Sequence, residues 1–164
     1  MKYLLDANVF IEASNRYYAF DICPGFWAWM DIVTGADAAS VALVRDEIAS
    51  GADLLAEWVK DRAAEPWFLP VDDTATQVAF QAVAAHVASG PYTPQAQARF
   101  LSGADPWLVA KAMIAGCTIV THEVAAPGAK KRVPLPNVCA HFGVATLNTF
   151  DAMRALKASL ALAA

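Results

Sequence analysis

Apolar residues occur along this chain in two ways: as short unbroken runs, and as longer stretches in which they recur every three to four positions. The runs Tyr3-Leu4-Leu5, Ala38-Ala39-Ser40, Trp67 to Val71, Cys117 to Thr121 and Val144 to Leu147 predict short buried strands. The periodic stretches predict helices from near Val9 to Asn15, from Pro24, over Val41 to Ser50, over Ala52 to Ala64 and from Thr74 to Ser89. Further helices are predicted over Gln95 to Leu101, Pro106 to Ala115 and Asn137 to Phe142, with a last one from Thr149. Helices placed between strands predict an α/β domain with a parallel sheet, and no internal repeat or linker divides the 164 residues. A single domain over 1–164 is the expectation.

Local pattern adds detail. Within Val41 to Ser50 the stripe is Val41, Val44 and Ile48; Glu47 borders that buried face, Arg45 and Asp46 point away, and Gly51 ends the helix. In the following helix Asp53, Glu57, Lys60 and Asp61 read as a solvated face. Asp72-Asp73-Thr74 with Gln77 resembles a capping box, and His86 extends the stripe of Val78, Ala79, Ala82 and Val83. The segment Tyr17 to Met30 is rich in aromatics, and Phe26, Trp27, Trp29 and Met30 cover most of a helix's circumference. Core packing is the expected use of these rings, with base stacking or a partner helix as the other uses.

Composition limits the function classes. The net charge of −4 gives no global attraction for nucleic acid, so such a substrate would be met by a local basic patch or by metal ions. Cys23, Cys117 and Cys139 are odd in number and form no CxxC, which argues for reduced thiols and a cytoplasmic location. The first strand begins too early for a signal sequence before it. The most apolar stretch, Pro106 to Thr121, contains Lys111 and Gly116 and falls short of the ~20 residues of a membrane span.

Candidate chemistry lies in the acids. Asp6 follows the first strand directly, where a parallel sheet opens its ligand cleft, although Asp6 or Asn8 could equally cap the next helix. Glu123 stands just past the strand Cys117 to Thr121 and so belongs to the same edge of the sheet. Asp105 precedes Pro106 at a helix start, a position that also suits a structural cap. Several ionised carboxylates in one cleft repel one another unless a cation neutralises them. An oxygen-only donor set points to Mg²⁺ or Mn²⁺. The loop after Glu123 carries Lys130, Lys131 and Arg132, which suit phosphate contacts or a solvated loop.

Four segments in this order resemble the PIN-domain ribonucleases, which include the toxins of VapBC-type toxin–antitoxin pairs: Leu4-Leu5-Asp6-Ala7-Asn8-Val9-Phe10, Val44-Arg45-Asp46-Glu47-Ile48, Ala104-Asp105-Pro106-Trp107-Leu108-Val109-Ala110 and Thr118-Ile119-Val120-Thr121-His122-Glu123. The resemblance implies a PIN-like, Rossmann-like three-layer sandwich around a mainly parallel sheet of about five strands. It implies Asp6, Glu47, Asp105 and Glu123 as a catalytic, metal-binding quartet, with Asn8 and Thr121 as supporting polar groups and Lys130, Lys131 and Arg132 on RNA phosphate. The expected activity is Mg²⁺- or Mn²⁺-dependent RNA cleavage. An RNA substrate and a cognate antitoxin are the expected partners, and a homodimer is compatible with them. The fourth acid is more often Asp in that family, and the aromatic segment after Asn15 sets this chain in a PIN-like subgroup. A catalytically silent module that binds RNA or protein is the alternative.

Other chemistries fit less well. A haloacid-dehalogenase-like phosphatase would need an acid where Asn8 stands. Cys117, His122, Cys139 and His141 match no standard zinc spacing. No glycine-rich nucleotide loop is present.

Overall fold

In the computed structural model, which describes residues 1–161, the first strand is β1, Tyr3–Leu5. It leads into α1, Ala7–Glu12, which widens into a π-helical turn, Ala13–Tyr17. Then come α2, Pro24–Val33, β2, Ala38–Val41, α3, Ala42–Ala49, α4, Leu54–Asp61, and β3, Phe68–Leu69. The second half holds α5, Thr74–Ser89, α6, Pro94–Ser102, α7, Asp105–Ala115, and β4, Thr118–Val120. It ends with α8, Leu135–His141, β5, Thr146–Leu147, and α9, Thr149–Ala155.

The five strands are all parallel, in the order β3-β2-β1-β4-β5. The chain steps outward from β1 to β2 to β3, then returns across the sheet to β4 and steps outward again to β5. Since parallel crossovers are right-handed, the two directions place their helices on opposite faces, giving helix, sheet and helix layers. The direction reverses between β1 and β4, and at their carboxyl ends such a sheet opens a crevice. Leu4, Leu5, Ile119 and Val120 are buried within the strands that flank this point, so its floor is fixed by core packing.

β1 matches its apolar run and β2 extends one residue beyond it to Val41, whereas β3, β4 and β5 are shorter than predicted because pairing stops where the main chain turns into loops; β3 keeps two residues of Trp67 to Val71. Asp53 caps α4 by accepting the Ala56 N–H at 2.9 Å, which corrects its assignment to a solvated face. The box before α5 is half formed: Asp73 accepts from Thr76, while the Gln77 amide reaches the Val71 carbonyl. The aromatic segment is chiefly core: Phe26, Trp27 and Met30 are buried, Trp29 is half-buried, and the Trp27 indole donates to the Tyr18 carbonyl at 2.7 Å. No described helix is long and apolar enough to cross a membrane.

Candidate functional site

Asp6 stands where β1 ends, 5% exposed, in the position of a helix cap for α1, yet its carboxylate makes no capping bond. It accepts instead from the Thr121 hydroxyl at 2.7 Å, directly after β4. That hydroxyl also accepts from the Asn8 amide at 3.0 Å and from the Glu123 N–H at 3.1 Å, which uses its one proton and both lone pairs. The Asn8 carbonyl takes the His122 N–H at 3.0 Å. Asn8 and Thr121 thus lock the segment after β4 against the start of α1. The Asp6 side chain thus bonds across to the segment after β4 and makes no side-chain capping bond to α1.

Asp105 is likewise not a cap. Ala104 takes the cap position of α7, with no side-chain bond there, and Asp105 lies inside the first turn. Burial and the charges of Asp6, Glu123 and Glu47 push its pKa up to about 8, and no hydrogen bond opposes them. For Asp6, burial is the main cause of a rise to about 6, opposed by the Thr121 hydroxyl and assisted by the charge of Glu123. Carboxylates from four parts of the chain are therefore close enough for the charges of Asp6, Glu123 and Glu47 to raise the proton affinity of Asp105.

Glu47 and Glu123 hold the walls. The Glu47 carboxylate, on α3, accepts the Ala104 N–H at 2.7 Å and ties α3 to the α6–α7 corner. Glu123 accepts the Leu135 N–H at 2.9 Å at the start of α8. With Asp105, both acids line a cavity of about 460 Å³ whose other wall carries Arg99, Lys131 and Arg132. Asp6 lies buried beside it and couples to Asp105 through charge.

The four predicted acids and both predicted supporting residues thus come together at one edge of the sheet. Lys131 and Arg132 join them; Lys130 is exposed and is not part of the cavity wall, its main-chain carbonyl taking the Thr93 N–H at 2.9 Å. Arg99, from α6, is the residue that sequence reasoning missed. It lies in a short polar helix with no motif around it, and only the α6–α7 corner brings it opposite the acids.

The donor set fits a hard divalent cation: oxygen ligands, mutual repulsion, and one carboxylate, Asp105, with no donor of its own. Among the described residues no three His, Cys, Asp or Glu side chains converge as a ready cage. Mg²⁺ commonly uses one or two carboxylates and completes its shell with water and substrate phosphate, so a closed cage is not required. A zinc site fits poorly. Burial chiefly, with the nearby charges of Asp105 and Asp6, pushes the Cys139 thiol up to about 12, and His141 stacks on His86 at 3.6 Å.

Comparison with curated proteins gives no match. Among solved structures, the crystal structure of FitAcB from Neisseria gonorrhoeae is similar, with a TM-score of 0.52 and 18% sequence identity, covering 90% of this chain and 98% of that one. This likeness concerns the fold, a PIN-like α/β sandwich. The family assignment comes from the sequence itself: residues 3–160 match the model of DUF4411, a domain of unknown function, and the chain belongs to that family.

Proposed function

We propose that this protein is a metal-dependent endoribonuclease of PIN-like fold, acting as the toxin of a toxin–antitoxin pair and silenced by a cognate antitoxin. The observation that carries the reading is Asp105, a carboxylate without a hydrogen-bond donor, inside a group of acids at the point where the sheet reverses direction. Its oxygens are not sealed from solvent, so they are open to a ligand from outside the chain.

Asp6 and Asp105 would hold Mg²⁺ or Mn²⁺, with Glu47 and Glu123 completing the charge around it. Such an ion, when bound, supplies polarisation of a phosphoryl oxygen and acidification of water. Asn8 and Thr121 fix the Asp6 carboxylate and the chain leading to Glu123. Lys131 and Arg132 suit the phosphates of the strand, the local basic patch that a net charge of −4 requires. In the hydrolysis, a water oxygen bonds to phosphorus, the bond to the leaving sugar oxygen breaks, and the water's proton passes to the carboxylates or solvent while the leaving oxygen takes one up.

A second reading draws on a different observation. Glu47 and Glu123 each satisfy a main-chain N–H, which is also how acids serve a silent binding module. Incubation of single-stranded RNA with the protein, with and without Mn²⁺, separates the two. Cleavage that needs the ion and disappears in Asp105→Asn supports the nuclease; binding without cleavage at any Mn²⁺ concentration supports the module.

A further inference from the structure

The six arginines divide into two groups. Arg16 pairs with Glu12 at 3.2 Å, Arg45 with Asp46 at 2.8 Å, Arg62 with Asp31 at 2.6 Å and Arg154 with Asp151 at 2.9 Å. Arg99 and Arg132 have no carboxylate partner among the described residues, and both line the cavity that holds Glu47, Asp105 and Glu123. Acids are thus near, but those of Glu47 and Glu123 are turned toward the N–H groups of Ala104 and Leu135. The cavity consequently carries acids and arginines in its lining that form no ion pair with one another.

We propose that Arg99 of α6 and Arg132 of the segment before α8 form a two-sided clamp for a backbone phosphate of single-stranded RNA, holding the strand against the acids of the cavity. The proposal rests on the ribonuclease reading for the identity of the strand, and it adds Arg99, on a separate element, as a positioning residue. Two guanidinium groups from different elements suit one phosphate because each presents a planar fork of donors. A cavity of about 460 Å³ has room for a nucleotide-sized segment. The overall charge of −4 repels RNA elsewhere, so the clamp also sets where the strand enters.

The test reads binding apart from cleavage. A labelled mixed-sequence single-stranded oligoribonucleotide of about twenty nucleotides is titrated with full-length protein in EDTA at several salt concentrations. Arg99→Gln and Arg132→Gln should each weaken binding and lower the slope of log K against log salt by roughly 0.7, the share of one phosphate contact on a single strand. Arg99→Lys should keep most of the slope while losing affinity, because charge survives and the fork does not. Arg16→Gln, which removes an arginine already paired with Glu12, should change neither. Arg99 is exposed, so the variants should keep the wild-type melting temperature. Inorganic phosphate at matched ionic strength should displace the RNA poorly; full displacement would make this a site for free phosphate and overturn the clamp. An unchanged slope in folded Arg99→Gln would overturn it as well. Because no step requires cleavage, a protein that binds in this way but never cuts would refute the nuclease reading and leave the clamp standing.

Discussion

Two polar cavities of nearly equal size, about 460 and 470 Å³, lie in this molecule, and both carry carboxylates. In the second, lined by Asp31, Thr34, Asp61, Arg62, Glu65 and Trp67, the chain supplies its own cation. Arg62 forks onto Asp31 with bonds of 2.6 and 2.8 Å, donates to the Trp58 carbonyl and lies 4.2 Å over the Trp58 ring. Its pKa is raised, first through the hydrogen bond with Asp31. In the first cavity Asp105 has no such partner, and its pKa is pushed up first by burial and then by its neighbours' charge. The paired acid Asp31 ties two helices together, whereas Asp105 has no ion-pair partner among the described residues. The two cavities also differ in burial: Asp31, Asp61 and Glu65 are exposed, whereas Asp6 is buried and Asp105 and Glu123 are half-buried.

The largest effect expected on this contrast comes from the structural cavity. Trp58 is 8% exposed and packs against Phe10 and Trp27 as well as Arg62. Trp58→Ala should cost about 3–5 kcal/mol of stability in chemical denaturation, while RNA cleavage per folded molecule stays as in the wild type. A parallel loss of cleavage at full folding would join the two cavities into one functional unit.

Asp105→Asn and Asp6→Asn should act the opposite way, lowering Mn²⁺-dependent cleavage by roughly a hundredfold or more, equivalent to about 3 kcal/mol in the barrier. Stability should be unharmed. Full cleavage by Asp105→Asn would return that residue to a purely structural role.

The pH dependence of stability without metal is the next measurement. Asp6 and Asp105 bind protons in the native state up to about 6 and about 8, whereas an unfolded chain releases them near 3.8. The native state therefore holds more protons across this window, so stability falls as pH rises through it and levels off above about 8. In EDTA the melting temperature should drop steadily between pH 5 and pH 8. Mn²⁺ should remove much of the drop, and so should Asp105→Asn without metal. A stability that rises over this range in EDTA would contradict the repulsion among the acids.

The smallest effect is expected at the paired acid. Asp31→Asn breaks a partly exposed ion pair, and after solvent screening it should cost about 0.5–1 kcal/mol, with RNA cleavage unchanged.

What the sequence shows and hides follows the same physics. The run Tyr3-Leu4-Leu5 before Asp6, Pro24 at a helix start, and Asp73 three residues before Thr76 are signals written in consecutive residues, and each is found in place. The π-helical turn at Ala13–Tyr17 left no such mark. It is closed by the Tyr18 N–H reaching Ala13 and by the Trp27 indole on the Tyr18 carbonyl, a contact from another helix. Asp53 looked like surface charge because its use as a cap depends on where α4 starts. Asp6 and Asp105 are visible as acids at ends of elements, but pattern alone does not show whether they cap; that lies in the Thr121 hydroxyl from which Asp6 accepts and in Ala104 taking the cap position of α7. Arg99 was hidden for the same reason, since a residue's lack of a partner is a property of three dimensions.

The central claim is that the acids at the reversal point of the sheet wait for a cation that the chain does not supply. Electron paramagnetic resonance of Mn²⁺ titrated into the full-length protein near pH 7.5 tests this without any assumption about substrate. The account predicts that the wild type and Asp31→Asn withdraw Mn²⁺ from the free-ion signal to the same extent, and that Asp105→Asn does so far more weakly. Mn²⁺ left free by the wild type, or bound equally by Asp105→Asn, would contradict it.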